Sequence, residues 1–434
     1  MTDAAAERKL ARIRDTIVHE RHGIIPLLFE QNGSCDAPGL YIFNAAAVNG
    51  NYFRLNAPHS GKNVSAGSGA AFDRSTALWA TFGEVLERYA GSIYQPELIL
   101  RDSAANLGDR AIDLDEFILF SSSQYDEPGF RYARPDKEAQ RGWVSMFDMS
   151  RAQEVLVPAS LVYMGVDIKH VAEEIAQGTS TGLAAGPDIE FASLRALSEV
   201  VERDASAAMW QLGFAPPRLK IGSATLSRLH PVVVRQLRSG PVKLHLWSIP
   251  TDIGLTVVVA LAESSLDNVV TVGTSANSDP ARAIEKSVIE ALHGFALARQ
   301  KLGVGEMIAD EQDFSDPKEH LAFYLDPRRR HHLEFLFSSA EEIDSDELHV
   351  GTGSAAGLAA QIAAAGYRPL VTDITTDDLR DLGIVVVRAV VPGLQPLLFG
   401  RHLRSEDRRR LDRLARFWGL AENHALNTAP HPYP

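Results

Sequence analysis

Residues 5–21 read as a charged N-terminal helix, and the short apolar run Gly23-Ile24-Ile25-Pro26-Leu27-Leu28-Phe29 follows it. Apolar residues then recur at helical spacing over 76–94 and about 190–212, each time after a small-residue loop, 66–71 and 179–186. A third helix, about 281–303, follows Asp279-Pro280, an N-cap with proline in the first turn. Three Val-rich, turn-bounded runs at 242–249, 255–263 and 268–274 predict strands that pair as antiparallel neighbours. Residues 304–345 are charged and irregular, the expectation for a surface excursion. Beyond them the pattern predicts an Ala-rich helix at 354–365 and strands at 367–372 and 383–391 either side of a Thr/Asp turn. A basic helix around 405–418 comes last. No low-complexity linker interrupts this order, so one large mixed α+β domain is the simplest organisation.

Two of the helices carry one motif. Glu84-Val85-Leu86-Glu87-Arg88-Tyr89-Ala90 and Glu199-Val200-Val201-Glu202-Arg203-Asp204-Ala205 share Glu-Val-x-Glu-Arg-x-Ala, which predicts pseudo-symmetric halves around one site. Positions i, i+3 and i+4 share a helix face, so Glu84, Glu87 and Arg88 point together, as do Glu199, Glu202 and Arg203. Lys286, Glu290 and His293 form a comparable stripe on the third helix. One such segment alone reads more simply as a solvated face whose ion pairs contribute ~0.2–0.5 kcal/mol each. The neighbouring positions argue otherwise. Leu78, Trp79, Phe82, Val85 and Leu86 in one helix, and Leu194, Leu197, Val200 and Val201 in another, surround the glutamates with apolar side chains. Helices apolar over most of their circumference are interior. Interior carboxylates cost several kcal/mol unless positive charge compensates them. Two arginines cannot neutralise five glutamates, which leaves room for divalent cations. Oxygen-rich sites select hard ions, Mg²⁺ above all, and Mg²⁺ commonly arrives with a nucleotide's phosphates. The residues thus predict a Mg²⁺-polyphosphate site built from helix faces. Gly67-Ser68-Gly69 precedes the first of these helices, where backbone N–H groups can meet phosphate. A P-loop, a zinc-protease His-Glu-x-x-His and a G-x-S-x-G elbow are all missing from the sequence.

Composition narrows the partners. The 434 residues hold 43 Lys+Arg against 56 Asp+Glu, a net charge of −13 that disfavours a nucleic acid partner. The one basic cluster, Asp326-Pro327-Arg328-Arg329-Arg330-His331-His332, reads as a solvated loop. A single cysteine, Cys35, excludes an intramolecular disulfide and a Cys₄ zinc site, and suits a reducing compartment. The N-terminus lacks the apolar core of a signal peptide, and no run reaches the ~18 apolar residues of a membrane span. A cytoplasmic protein with no membrane partner is the expectation.

Four segments, in order, resemble the YcaO family. The first is Ser65-Ala66-Gly67-Ser68-Gly69 with Thr81-Phe82-Gly83-Glu84-Val85-Leu86-Glu87-Arg88. The second is Ser180-Thr181-Gly182-Leu183-Ala184-Ala185-Gly186 with Glu190 and Ser198-Glu199-Val200-Val201-Glu202-Arg203-Asp204. The third is Ala283-Ile284-Glu285-Lys286-Ser287-Val288-Ile289-Glu290-Ala291-Leu292-His293. Asp373-Ile374-Thr375 and Val391-Pro392-Gly393-Leu394-Gln395-Pro396 complete the set. The resemblance implies an ATP fold with mixed and antiparallel sheets around buried carboxylate-bearing helices. Its parts would be an N-terminal segment (1–60), an ATP-binding catalytic core (61–420) and a proline-spaced tail (421–434). It assigns Glu84, Glu87, Glu190, Glu199, Glu202 and Glu290 to Mg²⁺ and nucleotide, and places Arg88 and Arg203 at the motif arginines. Ser68, Thr181, Lys286 and His293 fall at further nucleotide positions, where many members have Lys, Asn, Arg and Gln.

The tail Pro430-His431-Pro432-Tyr433-Pro434 has proline at every second position, which stiffens it toward an extended shape. Such a tail resembles that of the azoline-forming members, which implies a cyclodehydratase of thiazole/oxazole-modified peptide biosynthesis. ATP and Mg²⁺ would serve the conversion of Cys, Ser or Thr in a precursor peptide to thiazoline or oxazoline, with the Pro434 carboxylate as acid/base or orienting group. The motifs begin within the first ~60 residues and only Cys35 is available, so no fused zinc-binding partner domain fits. A separate leader-binding protein is therefore expected. Oxidation to azoles falls to another protein, an FMN-dependent dehydrogenase, and a homodimer is the family expectation. The rival readings are a YcaO enzyme that forms thioamides or amidines, and a non-catalytic precursor-binding scaffold.

Overall fold

The computed structural model describes residues 3–31, 37–48, 66–94, 98–164, 173–264, 269–305, 308–309, 312–421 and 423–433; Cys35, Ser65 and Pro434 lie outside them. The chain begins with α1 (Asp3–Ile17), β1 (Leu27–Gln31), β2 (Tyr41–Ala46), β3 (Ala66–Ala71) and α2 (Arg74–Ser92). Next come β4 (Leu100–Asp102), α3 (Ala104–Leu107), α4 (Ser122–Tyr125), β5 (Arg141–Asp148), β6 (Gln153–Pro158), α5 (Ala159–Val162), β7 (Leu183–Gly186) and α6 (Ile189–Leu212). A middle stretch holds β8 (Arg218–Lys220), α7 (Ser223–Arg228), α8 (Pro231–Ser239), β9 (Val242–Ile249), β10 (Thr256–Ser264), β11 (Val270–Asn277) and α9 (Pro280–Gly303). The last elements are α10 (Pro317–Phe323), β12 (Glu342–Asp344), α11 (Ala355–Ala364), β13 (Leu370–Asp373), α12 (Asp377–Asp381), β14 (Val385–Val390) and α13 (Arg408–Phe417).

The strands form three sheets, ordered β1-β2-β3, β11-β10-β9-β8-β12 and β4-β5-β13-β14-β7, with β6 also on β5. Among the described residues every strand pairing is antiparallel except β8 with β12. The Val-rich runs pair as expected, with Val259 opposite both Trp247 and Thr274. Val257 through Ala262 are all buried, the continuous apolar run of a strand covered on both faces. Helix α2 lies on β2 and β3, α6 on β7 and β14, and α9 on β10 and β11. The glutamate helices are therefore interior, as their apolar flanks predict.

Several local expectations change. Residues 66–71 form a strand, not a loop. Their small side chains serve close approach, since a Cβ on Gly69 would sit 2.3 Å from the Thr81 backbone nitrogen in α2. The same logic holds in β11, where a Cβ on Gly273 would lie 2.5 Å from Ala291 N in α9. The second loop likewise ends in a strand, β7. The first helix stops at Ile17, short of the expected residue 21. Part of the 304–345 stretch also departs from a surface excursion. A capping box of Asp316 and Glu319 starts α10, and Leu321, Phe323, Tyr324, Leu325 and Leu333 are buried. Within the basic cluster Arg329 is buried, its guanidinium 4.1 Å from the Phe323 ring centroid and bonded to the carbonyls of Phe323 and Ile308. Arg330 pairs with Glu263. These arginines are structural ties rather than a solvated patch.

Candidate nucleotide site

Three strand–helix units, β3–α2, β7–α6 and β11–α9, repeat one local design. An Asp N-cap opens each helix: Asp73 accepts from Thr76 N, Asp188 from Phe191 N and Asp279 from Ala281 N. Each helix then runs back along its own strand segment and returns a glutamate to it. Ser68 N donates to Glu84 (2.7 Å), Gly182 N to Glu199 (3.2 Å) and Thr274 N to Glu290 (3.3 Å), at separations of 16, 17 and 16 residues. The residue one turn further reaches the next unit. Ala185 N donates to Glu87 and Ala276 N to Glu202, both at 2.8 Å. Nε2 of His293 lies 2.7 Å from Ser68 Oγ and closes the circle onto the first unit. The two-fold echo of the sequence is thus two members of a three-membered ring. The third copy escapes the motif because His293 stands where the others have Glu and Gly294 where they have Arg.

A backbone N–H holds one oxygen of each glutamate, which favours the ionised form, while burial opposes it. Burial wins at Glu87, pushed up to about 8, with the Glu199 and Glu84 charges adding and Ala185 N–H resisting. Glu199 and Glu290 also move up, each chiefly through the desolvating protein around the carboxylate, with Glu202 adding in both cases. Glu290 nevertheless keeps an exposed side. Lys286 moves down through burial and the neighbouring Arg195 charge, against the pull of Glu290. At Arg203 burial acts downward, yet Glu199, Glu202 and Glu290 outweigh it and the guanidinium stays charged.

The arginines retain unused donors. Arg88 binds Glu84 and the Ala66 carbonyl, both at 2.6 Å, and Arg203 lies 3.7 Å from Glu199. The Nε of each is buried without a hydrogen-bond partner among the described residues. Such donors fit an anion. The predicted site residues Glu190, Thr181 and Lys286 stand off the ring's hydrogen bonds. Glu190 accepts from Ala355 N at the start of α11 (2.7 Å), and Thr181 sits half-buried in the turn ahead of Gly182. Lys286 is one turn before Glu290 on the same face.

Sequence reading missed Arg388, Arg195 and Tyr433. Arg388, on β14, donates to the carbonyls of Thr179 (2.8 Å) and Leu161 (2.9 Å) behind Glu199. An arginine inside Val385-Val386-Val387-Arg388-Ala389-Val390 was the available signal, because a cation in a buried apolar strand needs a purpose. Tyr433 is buried, with its hydroxyl beside Arg203, Glu202 and Ser206.

The donor set is all oxygen and nitrogen. Among the described residues no three Asp, Glu, His or Cys side chains stand close enough to cage a metal by themselves. The oxygen donors that are present suit Mg²⁺, a hard ion that keeps water and phosphate among its ligands. Carboxylates bind the ion only when deprotonated, so Mg²⁺-nucleotide binding is expected to release protons near pH 7 and to tighten as pH rises toward about 8. The sign for folding is opposite. With Glu87 raised from 4.5 to about 8, the ligand-free protein gains stability from proton uptake at low pH and loses it as pH climbs through that window. Calorimetric titration with Mg²⁺ and a non-hydrolysable ATP analogue, in buffers of different ionisation heat, measures the protons released.

The chain matches the family model described as YcaO cyclodehydratase, ATP- and Mg²⁺-binding, over residues 66–395. It is 26% identical over 384 residues to an uncharacterized protein of Methanothermobacter thermautotrophicus, spanning 85% of this chain and 91% of that one. Among solved structures it is similar to a heterocyclase in complex with substrate and cofactor (TM-score 0.77, 20% identity). That match covers 99% of this chain but only 57% of the heterocyclase. The YcaO protein of Methanopyrus kandleri, bound with AMPPCP and Mg²⁺, is similar at TM-score 0.62 and 20% identity, over 90% of this chain and 91% of that one. At these identities the solved structures speak for the fold, and the family model speaks for the family. The chain belongs to the YcaO family, ATP-dependent enzymes that bind ATP and Mg²⁺.

Proposed function

We propose that this protein is an ATP-dependent cyclodehydratase that converts Cys, Ser or Thr residues of a ribosomal precursor peptide to thiazoline or oxazoline. The observation that carries the reading is a meeting on α6: the glutamate ring and the Pro-x-Pro tail converge there, with Tyr433 beside Glu202 and Arg203. Proline-spaced tails mark the azoline-forming members that the sequence resembles.

The chemistry is a leaving-group problem. A side-chain thiol or hydroxyl adds to the carbon of the preceding amide carbonyl, and its proton leaves. The adduct's oxygen attacks the γ-phosphorus of ATP and ADP departs. The C–O bond then breaks with phosphate as leaving group, and loss of the amide N–H proton forms the C=N bond. Glu84, Glu87, Glu190, Glu199, Glu202 and Glu290 would hold Mg²⁺-nucleotide, and Mg²⁺, when bound, supplies charge neutralisation on the phosphates. Arg88 and Arg203, with their unused Nε donors, take phosphate oxygens. Ser68, Thr181, Lys286 and His293 complete the nucleotide contacts, and the Pro434 carboxylate serves as acid/base or orienting group. The ring keeps a solvent-facing side, with Glu290 exposed and Glu84, Glu87 and Glu199 half-buried, through which Mg²⁺-nucleotide can reach it.

The reading carries partners with it: the precursor peptide, a separate leader-binding protein, an FMN-dependent dehydrogenase for azoles, and a second copy of this chain. Mass spectrometry of precursor, partner, enzyme and Mg-ATP tests it. The expected result is loss of one water per modified residue with one ADP formed. A gain equal to oxygen-for-sulfur exchange would instead make this a thioamide-forming enzyme. No mass change and no precursor-dependent ADP would make it a scaffold.

A further inference from the structure

The tail does not fray. Residues 430–433 are buried, and their backbone is read by side chains of the core. Trp210 Nε1 donates to the Ala429 carbonyl (2.8 Å), Tyr324 Oη to that of Pro430 (2.5 Å), and His320 Nδ1 to that of His431 (2.8 Å). His320 Nε2 accepts from Gly400 N (2.9 Å), so one ring nitrogen donates and the other accepts, which fixes a neutral imidazole. Its ring stacks on His431 at 3.9 Å, and His431 Nε2 donates in turn to the Leu398 carbonyl. Three aromatic donors thus meet three successive carbonyls of a segment whose prolines cannot offer N–H groups. Recognition of polyproline segments by aromatic-lined grooves works in this way.

We infer that the groove formed by α6, α10 and the segment around Leu398 to Gly400 is a peptide-binding site for proline-spaced, extended segments, which the chain's own residues 427–433 fill. The tail is then a ligand held by side-chain donors to its carbonyls, separable from the fold and replaceable by the same peptide added in trans. Its far end makes the site consequential. Tyr433 is 2% exposed, and its hydroxyl has no hydrogen-bond partner among the described residues while lying next to Arg203 and Glu202. Trp210, which holds the segment, and Glu202 lie about two turns apart on α6, so the seated segment packs on the helix that carries the ring. Peptide and nucleotide must alter each other's affinity by the same factor.

The experiment starts from the full chain, folded with its tail in place. A protease site is inserted at Ala425, which is exposed, and cut after purification. The fragment is expected to stay bound through size exclusion and to exchange with a fluorescein-labelled synthetic peptide of residues 426–434. A peptide with Pro430→Ala and Pro432→Ala should bind about fivefold to thirtyfold more weakly, because both alanines restore unbound freedom. Tyr324→Phe in the core should weaken binding of the unchanged peptide about threefold to tenfold. Mg²⁺ with a non-hydrolysable ATP analogue should shift the peptide's dissociation constant, and a Tyr433→Phe peptide should reduce that shift. Loss of the fragment with no rebinding by a cut protein that keeps its melting transition would overturn the inference. Equal binding of a scrambled peptide of the same composition would do so too. The readout is peptide binding, so it stands or falls separately from azoline formation.

Discussion

Replacing Glu202 by glutamine is expected to lower precursor-dependent ATP turnover about 10²–10³-fold while the chain still folds. Glu202 is only 8% exposed and accepts from Thr274 Oγ1 (3.1 Å) and Ala276 N (2.8 Å), so it joins α6 to the β11–α9 unit. Glutamine preserves the shape. Its carbonyl oxygen still accepts from Ala276 N–H, and its NH₂ group faces a hydroxyl that rotates to accept. The negative charge is what disappears, from the point where Arg203, Glu290 and Tyr433 converge. If that charge holds Mg²⁺-nucleotide in the transition state, kcat falls with little change in melting temperature. Phosphate release measured beside a thermal melt separates the two effects. Turnover within a few-fold of the unsubstituted enzyme would remove Glu202 from the site.

The second large effect is on stability. Arg410→Met is expected to destabilise the fold by about 3–5 kcal/mol, read as a lower urea midpoint. Arg410 is 2% exposed and makes bidentate contacts to Asp204 (2.6 and 2.9 Å) and Asp252 (both 2.8 Å), plus one to Tyr367 Oη (2.6 Å). Methionine fills most of the volume but leaves the buried Asp204 without its cation, and leaves Asp252 with Arg413 alone. Asp204 also accepts from Gln395 N (2.7 Å), and Gln395 binds Gln211, whose carbonyl accepts from Asn427 N at the root of the tail. One arginine therefore ties α13, α6 and the tail's entry together. The double change Asp204→Asn with Arg410→Met should cost less than the sum of the single changes, because the stranded charge is gone. Additive losses would argue against the network.

The glutamate helices were legible because their chemistry violates their surroundings: charged residues at helical spacing among apolar ones. Their partners were not, since each of the ring glutamates accepts from a backbone N–H, which no side-chain motif encodes. The strands at 66–71 and 183–186 hid behind their small residues. Glycine and alanine there read as turn chemistry, whereas close packing of strand on helix is what selects them. The His293 unit was hidden by substitution, and only its contact with Ser68 Oγ shows that it closes the ring. Residues 317–337 misled through composition. Their arginines and histidines signal solvent, yet His320 and Arg329 are buried because carbonyl oxygens and aromatic rings receive them. The tail's proline spacing was plain in the sequence. Its seat was not, because the donors come from α6 and from α10 with the residue that follows it, far away along the chain.

The central claim is that ATP phosphorylates the oxygen of the amide being cyclised, and an isotope measurement tests it most directly. A precursor peptide carrying heavy oxygen in the carbonyl ahead of a modified Cys, Ser or Thr is incubated with enzyme, partner protein and Mg-ATP. Mass analysis then follows both the peptide and the released phosphate. The expected result is one heavy oxygen in phosphate for each azoline formed. Azolines appearing while all phosphate stays unlabelled would contradict the account, since the oxygen would then have left as water and ATP would have acted elsewhere.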